Sequence, residues 1–270
     1  MLGQQMTGYL RELDHHPSDP VWYRLVMGET VHDLNDFLGR RIAIAFTGDR
    51  ACIHCGRRVK KLYNNGYCYP CFTTLAECDL CIVKPHECHF HKGTCRDETF
   101  ASEHCMIPHY VYLAYSSGVK VGLTRKGREY KRWIDQGASA AVLLAEVPTR
   151  RLAGELEVEI ARNLPDKTDW RKMLRVKDEV DVDLLQIREE VIARLPDTWR
   201  PYVLSKGIAV RRFRYPRLHD EEPNLNQVSL DKQTELEGTL VGIKGQYLMF
   251  DCGVFNVKRH AGYAVQISDL

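Results

Sequence analysis

Residues 52–71 read CIHCGRRVKKLYNNGYCYPC, two C-x2-C knuckles, Cys52/Cys55 and Cys68/Cys71, with twelve residues between them. Each knuckle bends the backbone so that two thiolates reach one ion, and two knuckles complete a closed tetrahedral shell. The spacing predicts a zinc ribbon. Gly56 follows the first knuckle, where the chain must turn beneath the sulfurs, and Gly66 sits at the tip of an Asn64-Asn65-Gly66 turn between two hairpin arms. Closed all-thiolate sites usually fold a small module and carry no chemistry, so these four cysteines are expected to be scaffold.

Cys78, Cys81, Cys88, Cys95 and Cys105 follow, interspersed with His86, His89, His91 and His104. They offer more donors than one ion needs, and only Cys78/Cys81 keep knuckle spacing. The sequence therefore predicts one further, mostly thiolate site without selecting its four ligands. Reduced structural cysteines or an iron–sulfur cluster are alternative uses of the same sulfurs. Zinc is the expected cofactor, as one ion or two. The tenth cysteine, Cys252, stands alone in a strand pattern and is expected in the core.

A chain of 270 residues with 44% hydrophobic content can bury a real core, and its length suggests one or two domains plus a small metal module. No charged segment followed by an apolar one opens it, and no run approaches the roughly 18 apolar residues of a membrane helix. The expected location is the cytoplasm, with no membrane partner. Clustered knuckle cysteines in a reducing compartment read as metal ligands.

A net charge of +2 does not by itself announce a nucleic-acid binder, so its distribution matters more. Arg57, Arg58, Lys60 and Lys61 leave the first knuckle together. Arg125, Lys126, Arg128, Lys131 and Arg132 crowd eight positions. Arg211, Arg212, Arg214 and Arg217 interleave with Phe213 and Tyr215. Such stretches can bind phosphate and stack bases, so nucleic acid, either RNA or DNA, is the expected partner. The plainer reading is a set of solvated faces balanced by acidic neighbours.

The fold class expected is α+β. Residues 1–51 alternate in strand fashion, residues 52–108 form the cysteine-rich module, residues 109–200 read as an α/β domain with a helical extension, and residues 201–270 return to short strands between glycine turns. Strand hairpins are expected about Ser116-Ser117-Gly118, and helices over 126–136, 149–164 and 183–195. Neither terminal β segment closes a comfortable core alone. They are expected to pair into one small barrel or sandwich, with the other parts inserted.

Within 110–164, Tyr110-Val111-Tyr112, Lys120-Val121-Gly122-Leu123-Thr124, a helical Arg132 and a helical Glu157 occur in that order. This succession resembles the GIY-YIG nuclease pattern of two strand motifs, a helical arginine and a helical glutamate. The resemblance implies that Tyr112 is the motif tyrosine, Arg132 the phosphate clamp and Glu157 the ligand of one Mg²⁺ for phosphodiester hydrolysis. Lys120 stands where the second motif would carry tyrosine, Tyr110 replaces the first glycine, and Gln136 follows Arg132 by one turn. Lys120 can act as a base if desolvated. Independently, a helix through Leu152, Ala153, Leu156, Ile160 and Ala161 places Glu157 in its apolar arc, where a carboxylate needs a metal, an arginine or a proton. A buried Arg132–Glu157 salt bridge in a binding-only domain is the alternative.

Gly66-Tyr67-Cys68-Tyr69-Pro70-Cys71-Phe72, Gly93-Thr94-Cys95-Arg96, Val119 to Arg125, Arg132 to Ala138 and Gly242 to Tyr247 also resemble, across nearly the whole chain, an uncharacterised bacterial and archaeal family of unknown function. That resemblance implies cysteine-rich, GIY-YIG-like and terminal β segments, and no substrate. Walker, dinucleotide-binding, serine-hydrolase and zincin motifs are absent. The expected function is a zinc-containing nucleic-acid-binding protein with a degenerate nuclease-like domain, its target RNA or DNA, with RNA the first candidate. An active Mg²⁺-dependent structure-specific nuclease and a zinc-stabilised protein-interaction scaffold are the competing readings.

Overall fold

The computed structural model describes residues 5–164, 166–177, 181–219 and 222–270. In chain order it contains β1 (Gln5–His16), β2 (Trp22–Met27), β3 (Thr30–Asp33) and β4 (Arg41–Arg50), then three short helices, α1 (Tyr69–Thr74), α2 (Leu80–Val83) and α3 (Glu98–His104). Next come β5 (His109–Tyr115), β6 (Val119–Arg125), α4 (Glu129–Asp135), β7 (Ala140–Val147), α5 (Arg150–Ala161), α6 (Trp170–Arg175), α7 (Leu184–Arg194) and β8 (Arg211–Arg212). The chain closes with β9 (Gln227–Val228), β10 (Glu235–Lys244), β11 (Tyr247–Phe250), β12 (Gly253–Asn256) and β13 (Tyr263–Asp269). Two compact units result, one made of Met1–Thr73 with Arg214–Leu270, the other of Thr74–Phe213.

In the first unit the two terminal segments share one sheet of order β3-β2-β1-β13-β4-β10-β11-β12-β9. β13 lies between β1 and β4, with Met6 opposite Ile267 and Ile44 opposite the same residue on the other side. Alternation decides which side chains enter the core: Leu13, Tyr23, Leu25, Ile44, Leu240 and Phe255 are fully buried. Each such residue contributes about 1.5–3 kcal/mol of burial, which fixes the register, because a one-residue slip would expose the whole set. The terminal segments pair as expected, but no closed barrel forms. The sheet stays open between β3 and the two-residue β9, short edge strands that present few unpaired backbone groups. Cys252 also departs from expectation, since it is exposed in the turn between β11 and β12.

The second unit is built on an antiparallel sheet of order β6-β5-β7-β8. Val111, Leu113, Val121, Leu123, Val142 and Leu144 face Leu156 and Ile160 of α5 and Leu184 of α7 in one core. The alternate residues of the β5–β6 hairpin point to the other face, where Tyr112 lies opposite Gly122 and its ring meets Trp133 of α4 edge-on at 5.8 Å. A Cβ at Gly122 would come within 2.6 Å of the Tyr112 hydroxyl, so only glycine lets the ring lie flat across the partner strand. Arg188 of α7 is buried and spends its guanidinium on the carbonyls of Leu143, Leu144 and Leu204, pinning the helix to the β7 edge. The order β5-β6-α4-β7-α5 sets the polar site described next.

Candidate functional sites

The ribbon stretch folds as two knuckles tied to each other through the backbone. Cys52 N–H donates to Arg57 O at 2.9 Å, Gly56 N–H to Cys52 O at 3.0 Å, and Ile53 N–H to Gly66 O at 2.8 Å. The intervening turn uses left-handed backbone at Asn64 (φ 45°) and Asn65 (φ 57°), residue types that tolerate it, and Gly66 takes φ 131°. All four sulfurs, from Cys52, Cys55, Cys68 and Cys71, lie within 4.8 Å of one another. The Cys55 and Cys68 sulfurs are 3.7 Å apart. A tetrahedral ion with metal–sulfur bonds of about 2.3 Å sets sulfur–sulfur edges of about 3.8 Å, so the four thiols fit zinc. Burial raises the Cys52 thiol, but backbone N–H groups of Cys55, Cys68 and His54 outweigh it and bring the pKa down to about 6. Burial and the neighbouring sulfurs push Cys71 up. A thiolate is thus favoured at one corner of a shell that a cation completes.

The ribbon also has a distinct surface. Arg57, Arg58, Lys60 and Lys61 are exposed. Lys61 lies over the Tyr63 ring at 4.9 Å, Tyr63 stacks on Phe72 at 5.8 Å, and Tyr69, edge-on to Tyr63 at 5.5 Å, is 61% exposed. No sequence pattern marks these aromatics as a surface stack.

The other basic stretches are less available. Lys126 is neutralised by Glu146, with contacts of 2.8 and 3.0 Å, and Arg125 is half-buried. Arg214 is held by both oxygens of Asp19 at 2.5 and 2.7 Å. Arg211 and Arg212 on β8 are exposed. The aromatics expected to interleave with them as stacking platforms are core residues instead: Phe213 packs on Tyr130 and Trp133, and Tyr215 on Tyr23. Extended chain sends alternate side chains to opposite sides, so arginines outward means aromatics inward.

The later cysteines and histidines occupy short turns of the second unit. Cys81, Cys88, Cys95 and Cys105 line one small cavity, together with Asp79 and His89, whereas Cys78 is buried outside it. Asp79, Cys81 and His89 also bring donor atoms within 4.8 Å of one another. Burial pushes the Cys81 thiol up to about 12, and the charges of Asp79, Cys88 and Cys105 act in the same direction. His91 bonds Arg151 at 2.8 Å, and His104 stacks on Phe100 at 4.3 Å.

Four residues singled out from the sequence converge in the second unit. Tyr112 is fully buried, and its hydroxyl donates to Gln136 Oε1 at 3.0 Å. Lys120, 2% exposed, donates to the same Gln136 oxygen at 2.8 Å and to Thr168 Oγ1 at 2.6 Å. Burial, then the Arg132 charge, lower the Lys120 pKa to about 8. Burial raises half-buried Glu157 to about 7, aided by the Asp166 carboxylate and opposed by Arg132, Arg150 and Lys120. Burial raises Tyr112 as well, against the pull of Arg132. Arg132 is exposed, and among the described residues no salt bridge joins it to Glu157. The buried Arg132–Glu157 pair considered above is therefore not made. Gln136 acts as the hub between tyrosine and lysine, a role its spacing alone did not reveal. Thr168 and Asp166 arrive from the segment after α5 with no local signal. A cavity of about 400 Å³ lined by Arg217, His219, Asn224 and Met249 lies in the first unit and holds none of these groups.

A protein-family model described as "Protein of unknown function (DUF2797)" matches residues 39–265. No curated protein and no solved structure matches the chain. Among the described residues no helix is long and apolar enough to cross a membrane.

Proposed function

Since the chain belongs to this family of unknown function, DUF2797, we propose from its own residues that it is a zinc-containing nucleic-acid-binding protein, directed at unpaired RNA, that grips phosphate without cutting it. The observation carrying this reading is the ribbon surface, where exposed Tyr69 continues the Lys61–Tyr63 stack beside exposed Arg57, Arg58 and Lys60. Basic side chains follow a phosphate backbone, and an exposed ring takes a splayed base, a combination suited to single-stranded loops. In the second unit, exposed Arg132 suits a bidentate phosphate contact. Tyr112 and Lys120 are sealed from solvent and occupied by Gln136, so neither reaches a substrate proton in this arrangement.

An active nuclease is the second reading, and one observation favours it. Lys120 near 8 and Glu157 near 7 both change protonation around neutrality, as acid–base pairs do. The order β5-β6-α4-β7-α5 agrees with the pattern that the sequence resembles. Glu157 with Asp166 nearby suits a divalent ion, so Glu157 would hold Mg²⁺. Such an ion, when bound, supplies charge stabilisation to a leaving phosphate oxygen.

The test is fluorescence anisotropy of a labelled single-stranded RNA with the full chain at two salt concentrations. Affinity is expected to fall with salt, about tenfold with Tyr69→Ala and about fivefold with Arg132→Ala. Binding absent at low salt would sink the proposal and promote the protein-interaction scaffold.

A further inference from the structure

We propose that Cys81, Cys88, Cys95 and Cys105 form a second, closed zinc centre in the Thr74–Phe213 unit, and that this centre clamps its turns onto α5, the helix that carries Glu157.

The ligand choice follows from what each donor is already doing. The four thiols come from α2 (Cys81), two separate turns (Cys88 and Cys95) and the end of α3 (Cys105), yet all line one cavity of about 20 Å³, room for a single small occupant. Asp79 and His89 border the same space and would complete a different, mixed set with Cys81. Their polar atoms are committed elsewhere. Asp79 caps α2 by accepting the Cys81 N–H at 3.3 Å and holds Arg96 at 2.8 Å. His89 uses Nδ1 on Thr94 at 2.8 Å and turns Nε2 toward Asp79 at 3.4 Å. Coordination by Asp79 would compete with Arg96 and the Cys81 N–H, and coordination through His89 Nε2 would cost its contact to Asp79 while leaving the Nδ1 bond to Thr94. The thiols give up little: Cys95 has one weak contact, to Asp97 O at 3.4 Å. Cys78 stays outside the cavity, so the only knuckle spacing in this stretch, Cys78/Cys81, is not the ligand pair. Four thiolates facing one cavity suit Zn²⁺, which would draw together sulfurs that do not yet all lie within 4.8 Å of one another, with four thiol protons released on binding.

The clamp is visible in the backbone around the cavity. Arg150 N–H donates to Cys105 O at 2.8 Å, and Arg150 Nη2 to Ile82 O at 2.7 Å. Gly154 lies so close to the Pro85–His86 turn that a Cβ would come within 2.5 Å of His86 N. The turns bearing Cys81 and Cys88 thus rest on the first half of α5, with Glu157 one turn beyond.

Metal analysis of the purified full chain tests the ligand set. Wild type is expected to hold two zinc ions per chain, Cys88→Ser/Cys95→Ser one, and Cys78→Ser, Asp79→Asn, His89→Ala and His104→Ala two. One zinc in wild type, iron in place of zinc, or loss of a zinc in a control variant would overturn it. If the double variant misfolds, zinc X-ray absorption of wild type decides: all-sulfur ligation at about 2.3 Å supports the assignment, and a nitrogen or oxygen shell overturns it. The clamp is read by hydrogen exchange along Arg150–Ala161, expected to rise at least tenfold in the double variant and overturned by unchanged exchange. None of these readouts depends on nucleic-acid binding.

Discussion

The two cysteine groups are brought together by opposite routes, and only the ribbon group has all four of its sulfurs within 4.8 Å of one another. In the ribbon, two knuckles and one turn carry the whole site within 20 residues, and backbone bonds inside that stretch hold the four sulfurs at that spacing, Cys55 and Cys68 3.7 Å apart. In the second group the cysteines lie on α2, on two turns and at the end of α3, and the site proposed there depends on the docking of these pieces against α5. A regular spacing advertises a self-contained site. An irregular one hides a site that tertiary packing must complete.

That contrast can be broken most strongly at the ribbon. Cys68→Ser removes a buried sulfur from a preassembled shell, and structural zinc contributes about 10 kcal/mol or more to such modules. One zinc is expected to be lost, with residues 52–72 exchanging backbone hydrogens freely by mass spectrometry. Retention of all zinc would mean that the ribbon ligands are misassigned. Gly154→Ala sharpens the other side of the comparison. The new methyl forces the Pro85–His86 turn off α5, and a cost of about 1–3 kcal/mol is expected in denaturant unfolding, with ribbon exchange unchanged. A neutral effect would deny the docking role given to that helix.

The smallest effect concerns Glu157 and pH. Its carboxyl titrates near 7 in the folded chain against about 4.5 unfolded, so the folded state holds the proton more tightly. The stability this contributes is fully present below pH 4.5 and is lost as pH rises through 7. Wild type is therefore expected to lose about 1–2 kcal/mol relative to Glu157→Gln between pH 5 and 8, after allowance for solvent screening of a half-buried group. Parallel stability curves for the two proteins would show that Glu157 is not desolvated as described.

Local chemistry was legible in the sequence to the extent that it was local. The knuckles, the Asn64-Asn65-Gly66 turn, the β5–β6 hairpin and the α5 periodicity all rest on short-range geometry. Pairing of the terminal strands could be inferred from their insufficient length, but closure could not. Whether the sheet closes depends on bonds that β3 and β9 fail to make with each other, and no pattern within either strand records that. Cys252 and the Phe213/Tyr215 pair were misplaced for a related reason. Alternation gives the period of a strand and leaves open where its turn falls and which face is buried. The Gln136 and Thr168 bonds to Lys120 span 16 and 48 positions, and only the fold brings them together.

The central claim is binding without cleavage, and one assay addresses it directly. Wild type and Glu157→Ala are incubated with labelled single-stranded and structured RNA and DNA, with and without Mg²⁺, and binding and cleavage are scored on the same samples. The account predicts salt-sensitive RNA binding by both proteins and intact substrate throughout. Mg²⁺-dependent cleavage by wild type that disappears in Glu157→Ala would contradict it and establish a working nuclease site.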